Sequence, residues 1–151
     1  MTAAEDGQPE LAFRSADIAR SFALGALECS RIYVSDEDRF AMQALAELLR
    51  DAAAAGILAE SDFMGTEPAL LEKLCRDSRW AERWCAFRAL HRMRRSDVPP
   101  VGEGWRIIPA KLRCIDPLIA GRGRASELFP DFGGQLAAFR SQSLAYWVRG
   151  E

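Results

Sequence analysis

The side chains that could take part in catalysis or metal binding are few and scattered. The chain has one histidine, His91, so a site with several histidine ligands cannot form within one copy. Its place among aromatic residues at helical spacing favours a structural role over that of a general base. The four cysteines form no CxxC pair and no Cys/His cluster, and they are Cys29, Cys75, Cys85 and Cys114. We therefore expect reduced, partly buried thiols that pack as small hydrophobic groups, without a zinc site.

The carboxylates stand mainly where structure explains them. Asp36, Glu37 and Asp38 follow Ser35 at a predicted helix start, where an acidic first turn interacts favourably with the helix dipole. Asp116 precedes a proline and is typical of a turn. The sequence contains no evident pair of acid and base, so it favours a non-enzymatic role, and we expect no cofactor.

Arginines offer one chemistry that the sequence allows, the binding of a phosphate group. Arg92, Arg94 and Arg95 form one cluster, and Arg122 and Arg124 alternate with glycines in another. Guanidinium groups and backbone amides are good donors to phosphate oxygens, although residues 121–124 lack the Lys-Ser/Thr ending of a P-loop. These five arginines are the predicted phosphate-binding residues.

Charge is unevenly distributed along the chain, although the formal net charge is only −2. Residues 1–67 carry 5 basic and 13 acidic side chains (−8), whereas residues 68–151 carry 15 basic and 9 acidic ones (+6). Attraction between the two halves of a folded chain is one explanation, and a basic surface for a phosphate-bearing partner is the other. The Arg and aromatic residues interleaved over 79–95 suggest nucleic-acid binding, but the acidic whole chain and the helical stripe favour a core helix.

Length and composition indicate a soluble, folded protein with one core. The chain has 151 residues, of which 49% are hydrophobic and 28% charged. No apolar run approaches the roughly 20 residues of a spanning helix, and residues 1–10 are too acidic for a secretory signal. We expect a cytoplasmic protein with a flexible tail at residues 1–10 and a single mainly helical domain at residues 11–151.

Hydrophobic periodicity predicts a mainly helical α+β fold. The helices are expected at about residues 15–33, 36–55, 67–76, 79–95 and 135–142. Residues 104–119 are the main departure from helical patterning, and we expect the Trp105 region to pair with the Leu144 region in a small antiparallel sheet. Pro109 marks an edge, a bulge or a break between two short strands, because it cannot donate a ladder hydrogen bond.

Two predicted helices have apolar stripes that suggest which face is buried. In the first helix, Ser15 is the expected N-cap, and the stripe comprises Ile18, Phe22, Gly25, Cys29, Ile32 and Tyr33. Gly25 on this stripe would permit close approach of a neighbouring helix. In the second helix the expected buried residues are Ala41, Leu45, Leu48, Leu49 and Ala52, opposite Arg39, Gln43, Glu47 and Arg50.

Five segments occur in an informative order: LAFR at residues 11–14, AELLRD at 46–51, GILAESDF at 56–63, GTEPALLEKL at 65–74 and RCIDPLI at 113–119. This order resembles the C-terminal part of bacterial HD-domain phosphohydrolases, over about residues 11–150. Members of that family hydrolyse phosphate esters, often nucleotides, at a metal site of histidines and aspartates that includes an adjacent His-Asp pair. Here His91 is followed by Arg92, so the resemblance covers the accessory region and no catalytic residue carries over.

The resemblance and the missing ligands imply a non-catalytic protein-interaction or regulatory module. We expect a protein partner or self-association, and no membrane. The alternative is an accessory subunit that binds phosphate or nucleotide and completes or regulates a phosphohydrolase in trans.

Overall fold

A computed structural model describes residues 2–3 and 9–151 of the chain. The α-helices in this part are α1 (Ala16–Tyr33), α2 (Asp36–Ala54), α3 (Glu67–Cys75), α4 (Ser78–Arg88), α5 (Ala125–Leu128) and α6 (Pro130–Ser141), and Glu60–Met64 is a 3₁₀ helix. The strands are β1 (Thr2–Ala3), β2 (Pro9–Glu10), β3 (Ala12–Phe13), β4 (Met93–Ser96), β5 (Arg106–Ile107), β6 (Leu118–Ile119), β7 (Gly123–Arg124) and β8 (Trp147–Gly150). The predicted mainly helical α+β class is confirmed.

The chain divides into two compact units, each built from separate stretches of sequence. The first unit comprises Met1–Ser35 and Ala110–Leu144, and the second comprises Asp36–Pro109 and Ala145–Glu151. Residues 104–119, which the sequence set apart as one non-helical stretch, are divided between the two units, because the chain passes from the second unit to the first after Pro109. The predicted tail at residues 1–10 falls largely outside the described residues. In its described part, β1 pairs antiparallel with β2.

The first unit packs α1 and α6 around a small sheet. Strand β6 is central in this sheet, parallel to β3 and antiparallel to β7. Its core comprises Ala19, Ala23, Leu27, Val34, Ile119, Ala125, Phe132, Leu136 and Phe139. The parallel pairing of β3 with β6 joins residues more than a hundred positions apart, so local patterns in the sequence could not reveal it.

Helix α1 begins as predicted but buries a different face. The backbone N–H of Ile18 donates to Ser15 Oγ at 3.4 Å, so Ser15 is the N-cap. The buried residues of α1 are Ala19, Ala23, Leu27 and Ser30, whereas the stripe expected in the core is exposed. The prediction was wrong because α1 has two apolar faces, and the face with small side chains lets the helix approach its neighbours more closely.

The second unit surrounds α2 with α3, α4 and an antiparallel sheet. Its core contains Leu48, Ala52, Leu58, Leu74 and Trp80, with Trp84 and Phe87 packed against it. Gly56, at φ 74°, terminates the last turn of α2, and the backbone N–H of Ile57 donates to the carbonyl of Ala52 at 2.9 Å. The polar side of α2 was partly mispredicted, since Arg39 is only 4% exposed.

The predicted helix at residues 79–95 ends early. Helix α4 stops at Arg88, and Met93–Ser96 forms β4, which pairs antiparallel with β8. Strand β5 pairs with the other edge of β8, so the predicted antiparallel pairing of the Trp105 and Leu144 regions is confirmed with a further strand. His91 lies outside the helix and is exposed, and its backbone N–H donates to the backbone carbonyl of Glu151 at 3.1 Å. Strand β4 pairs with β8, which lies over fifty residues further along the chain, so local periodicity could not reveal that residues 93–96 form a strand.

Two smaller predictions also need correction. Helix α6 starts at Pro130, five residues before the predicted start at 135, because proline fits the first helical position. All four cysteines are free, as predicted, but Cys29 and Cys85 are exposed instead of packed.

Adjacent glycines in α6 provide a matched test of packing in the first unit. A Cβ at Gly133 would lie 2.5 Å from the Ser126 carbonyl oxygen, whereas a Cβ at Gly134 would meet nothing within 4 Å. We expect Gly134→Ala to raise the free energy of unfolding by about 0.5–1 kcal/mol through helix propensity. Gly133→Ala should lower it by roughly 1–3 kcal/mol, because the backbone of α5 must shift. Chemical denaturation of both variants checks the pair, and equal changes would contradict this packing.

Candidate functional site

Large apolar side chains are exposed along one face of α1. Ile18 is 62% exposed, Phe22 45%, Ile32 60% and Tyr33 67%. Gly25 and Cys29, also exposed, lie between them at helical spacing. We call these six residues the α1 face. Its residues are the stripe that periodicity identified, so the sequence located them correctly and assigned them to the wrong environment.

A groove in the first unit extends this apolar surface beyond the helix. It has a volume of about 580 Å³, and Leu11, Phe22 and Ile115 are among its lining residues. Leu11 is 82% exposed and Ile115 52% exposed. The ring of Phe13 lies 5.1 Å from that of Phe22, between centroids, which helps to hold Phe22 in place. The α1 face and the groove therefore share Phe22.

Charged side chains near the α1 face are largely paired inside the first unit. Arg31 donates to Glu28 and, at 3.1 Å, to Gln135 Oε1. Arg20 Nη2 lies 2.5 Å from Asp131 Oδ2, and this hydrogen bond is the main cause of the lowered pKa of Asp131. These pairs anchor the helix to α6 without covering the apolar stripe.

A second groove lies at the C-terminal end of α1. It has a volume of about 280 Å³ and is lined by Ser30, Tyr33, Val34, Ala110, Lys111 and Arg113. Lys111 and Arg113 in its lining are exposed. The Ser30 hydroxyl donates to the carbonyl of Ala26 at 2.8 Å, so its hydrogen is already engaged within α1.

The most connected ionisable cluster lies in the second unit, around Asp36. The Tyr146 hydroxyl donates to Asp36 Oδ1 at 2.8 Å, and Arg39 Nη2 donates to the same oxygen at 2.7 Å. Arg95 donates to Asp36 Oδ2 through Nε and Nη2, at 3.1 and 2.9 Å. Both guanidinium groups also lie against the Tyr146 ring, at 5.1 and 3.9 Å from its centroid. This cluster joins the start of α2 to β4 and to the residue before β8.

Burial and hydrogen bonding oppose each other at Asp36. Burial by itself would raise the pKa of Asp36, but the hydrogen bonds from Tyr146, Arg39 and Arg95 together lower it below the ordinary carboxyl value of 3.8. Burial, followed by the hydrogen bond to Asp36, raises the pKa of Tyr146. The carboxylate is thus ionised at neutral pH and surrounded by donors, an arrangement that suits a structural anchor better than a general base.

The predicted phosphate-binding arginines differ in what they contact. Arg95 binds Asp36, and Arg94 Nε lies 2.8 Å from Glu151 Oε1. Arg124 donates to both carboxylate oxygens of Glu10, at 2.5 and 2.8 Å, and to the Asp116 carbonyl at 3.1 Å.

Arg92 and Arg122 are exposed, and neither guanidinium group has a partner among the described residues. Arg92, Arg94 and Arg95 belong to the second unit, whereas Arg122 and Arg124 belong to the first.

Within residues 2–3 and 9–151, no three side chains of His, Cys, Asp or Glu come together as metal ligands would. In the same part of the chain, no helix combines the length and the apolar character that crossing a bilayer requires.

The sequence reasoning missed the Asp36 cluster altogether. Asp36 was assigned to a helix start, Arg39 to the solvent side of α2, and Tyr146 to a strand. The sequence contained a signal for one of its contacts, since an arginine three residues after an aspartate in a helix often pairs with it.

The chain matches no known protein family, no curated protein and no solved structure.

Asp36 should make the stability of the second unit depend on acid pH. We expect Asp36→Asn to lower the free energy of unfolding by roughly 2–3 kcal/mol at pH 7, because two buried donors lose their charged acceptor. The folded pKa of Asp36 is lowered, so its contribution is present above the ordinary value of 3.8 and is lost as the pH falls through the folded value. The difference between wild type and variant should therefore shrink below about pH 4.

Denaturant titrations at pH 7 and pH 3 measure this effect. Asp131→Asn is the matched control, since Asp131 also has a lowered pKa but its pair with Arg20 is about half exposed. We expect a much smaller change for the control. A loss for Asp36→Asn that is equal at both pH values would contradict the assignment.

Proposed function

We propose that this chain is a non-catalytic protein-interaction or regulatory module that binds a partner through the α1 face. The observation that carries the proposal is the exposure of large apolar side chains at both ends of one face of α1. Exposed large side chains project from a helix whose other apolar face is already buried in the core, and they are Ile18, Phe22, Ile32 and Tyr33. A helix of this kind has a second surface that is free to bind.

The size of the exposed surface supports the same proposal. With roughly 200 Å² for the full surface of a large side chain, the α1 face together with Leu11 and Ile115 exposes about 700 Å². Monomeric proteins rarely expose a contiguous apolar patch of more than a few hundred Å², and larger patches mark interaction sites. At about 25 cal/mol per Å², covering such an area offers a substantial driving force for association.

The resemblance to the C-terminal region of HD-domain phosphohydrolases fits this role. An accessory region has no need of the metal ligands of a catalytic core, and regulation through a bound partner suits an apolar docking face. In this proposal α1 makes the contact, while the Asp36 cluster keeps the second unit folded.

Site-specific photo-crosslinking tests the proposal directly. A benzoylphenylalanine in place of Tyr33 should form covalent adducts with protein in cells that express the chain, because Tyr33 lies on the binding face. The same group in place of Ala137, an exposed residue of α6, should form few or none. Phe22→Asp should abolish the adduct at position 33, since it places a charge in the interface. Absence of any protein adduct at position 33 would overturn the proposed role.

The accessory phosphate-binding subunit is the second candidate. The observation that favours it is the exposure of two guanidinium groups, Arg92 in the second unit and Arg122 in the first, neither of which has a partner among the described residues. We expect nucleotides or inorganic phosphate to raise the melting temperature if this function is present, and the shift to disappear in Arg92→Ala combined with Arg122→Ala. A melting temperature unchanged by either ligand at millimolar concentration would exclude this candidate.

A further inference from the structure

We propose that the partner of the α1 face is the α1 face of a second copy, paired antiparallel about a two-fold axis. The inference rests on the proposed function, because it uses the same surface, and it adds the identity of the partner. Such an interface is isologous, so every residue of the face must fit against another residue of the same face.

The spacing of the face is the spacing of a helix-pairing surface. Ile18, Phe22, Gly25, Cys29 and Ile32 follow one another at intervals of four, three, four and three residues. Apolar residues that alternate in this way form the contact line of paired helices, where each side chain inserts between those of the facing helix. The other face of α1, with Ala19, Ala23 and Leu27, is already occupied by the core of the first unit.

The order of side-chain sizes decides the direction of pairing. The N-terminal half of the face carries the large residues Ile18 and Phe22, and the next two positions carry the small residues Gly25 and Cys29. An antiparallel arrangement sets Ile18 opposite Cys29 and Phe22 opposite Gly25 of the second copy. A parallel arrangement would set Phe22 against Phe22 and Gly25 against Gly25, which crowds one layer and leaves a void in the next. Close packing therefore favours the antiparallel pair.

Gly25 has no evident purpose within its own unit. Its position is helical and exposed, and a Cβ there would meet nothing within 4 Å. Glycine inside a helix costs about 0.5–1 kcal/mol relative to alanine, so a glycine without a local reason calls for an external one. Close approach of Phe22 from a second helix supplies that reason, because its ring fills the space that a side chain at position 25 would occupy.

The ends of the face are complementary as well. In the antiparallel pair, Ile32 and Tyr33 of one copy extend past the start of the other α1, toward the groove that Leu11 and Ile115 line. The apolar surface of about 700 Å² per copy is close to the roughly 800 Å² per partner of a standard interface.

Analytical ultracentrifugation of the purified full chain tests the pairing. We expect a concentration-dependent dimer that Gly25→Leu weakens by about tenfold or more, because the new side chain collides with Phe22 of the partner. Inside the unit the position is open, so the variant should fold normally by circular dichroism. Ala137→Leu adds the same apolar group elsewhere on the first unit and should leave the dimer unchanged. Combining Gly25→Phe with Phe22→Ala exchanges the large and small partners and should restore dimerisation.

Disulfide trapping tests the register independently. In a Cys85→Ser background, which removes the other exposed cysteine, Ile18→Cys should form an intermolecular disulfide with Cys29 of the second copy under mild oxidation. Adding Cys29→Ser should abolish that product. Ready formation of a Cys29–Cys29 dimer in the Cys85→Ser protein without Ile18→Cys would indicate a parallel pair and would overturn the proposed arrangement.

The outcomes separate this inference from the function on which it rests. A protein that stays monomeric at all concentrations, yet crosslinks through position 33 to a different protein, would overturn the self-pairing and leave the interaction module standing. A dimer that Gly25→Leu leaves intact would overturn the self-pairing too. A dimer that is weakened by Gly25→Leu and restored by the exchanged pair, together with crosslinks at position 33 between copies, supports both.

Discussion

The first unit depends on how closely α1 can approach the rest of its core. Ala19 and Ala23 are fully buried, and such small side chains let the helix backbone lie near Phe132, Leu136 and the β6 strand. The bulkier stripe of Ile18 and Phe22 could not occupy the same space without pushing α6 and the sheet away. Burying the face with small side chains therefore leaves the face with large side chains exposed, and the proposed function depends on that exposure.

In the second unit the comparable constraint is electrostatic. Asp36 is held by Tyr146, Arg39 and Arg95, which come from three separate parts of the chain. A carboxylate removed from water stabilises the fold only while hydrogen bonds and opposite charge compensate it, so each of these donors contributes to the stability of the unit. The N-terminal turn of α2, strand β4 and the segment before β8 are therefore fixed together, and the last residues of the chain complete a unit begun at residue 36.

The sequence predicted what depends on local signals and missed what depends on distant partners. Ser15 marks the start of α1 through its own side chain, and the acidic turn after Ser35 marks the start of α2, so the bounds of both helices were predicted closely. Strand β4 was assigned to a helix because its pairing partner, β8, lies far along the chain. Periodicity found the stripe that contains Ile18 and Phe22, but it cannot say which of two apolar faces meets the core, since that depends on the neighbours that pack there.

The same distinction applies to charge. The acidic first half and basic second half suggested either internal pairing or a basic surface, and several of the pairs observed join the two halves within a unit. Arg83 binds Asp51, Arg106 binds Glu47 and Arg95 binds Asp36 in the second unit, and Arg124 binds Glu10 in the first.

Arginines engaged in this way hold the fold together and are less available to a phosphate group, because a ligand would have to displace a carboxylate already in place. The apolar stripe of α1 faces no such competition. A partner that covers it removes exposed hydrophobic surface from water without breaking an existing contact. Association through α1 is therefore the stronger physical argument for how this protein acts.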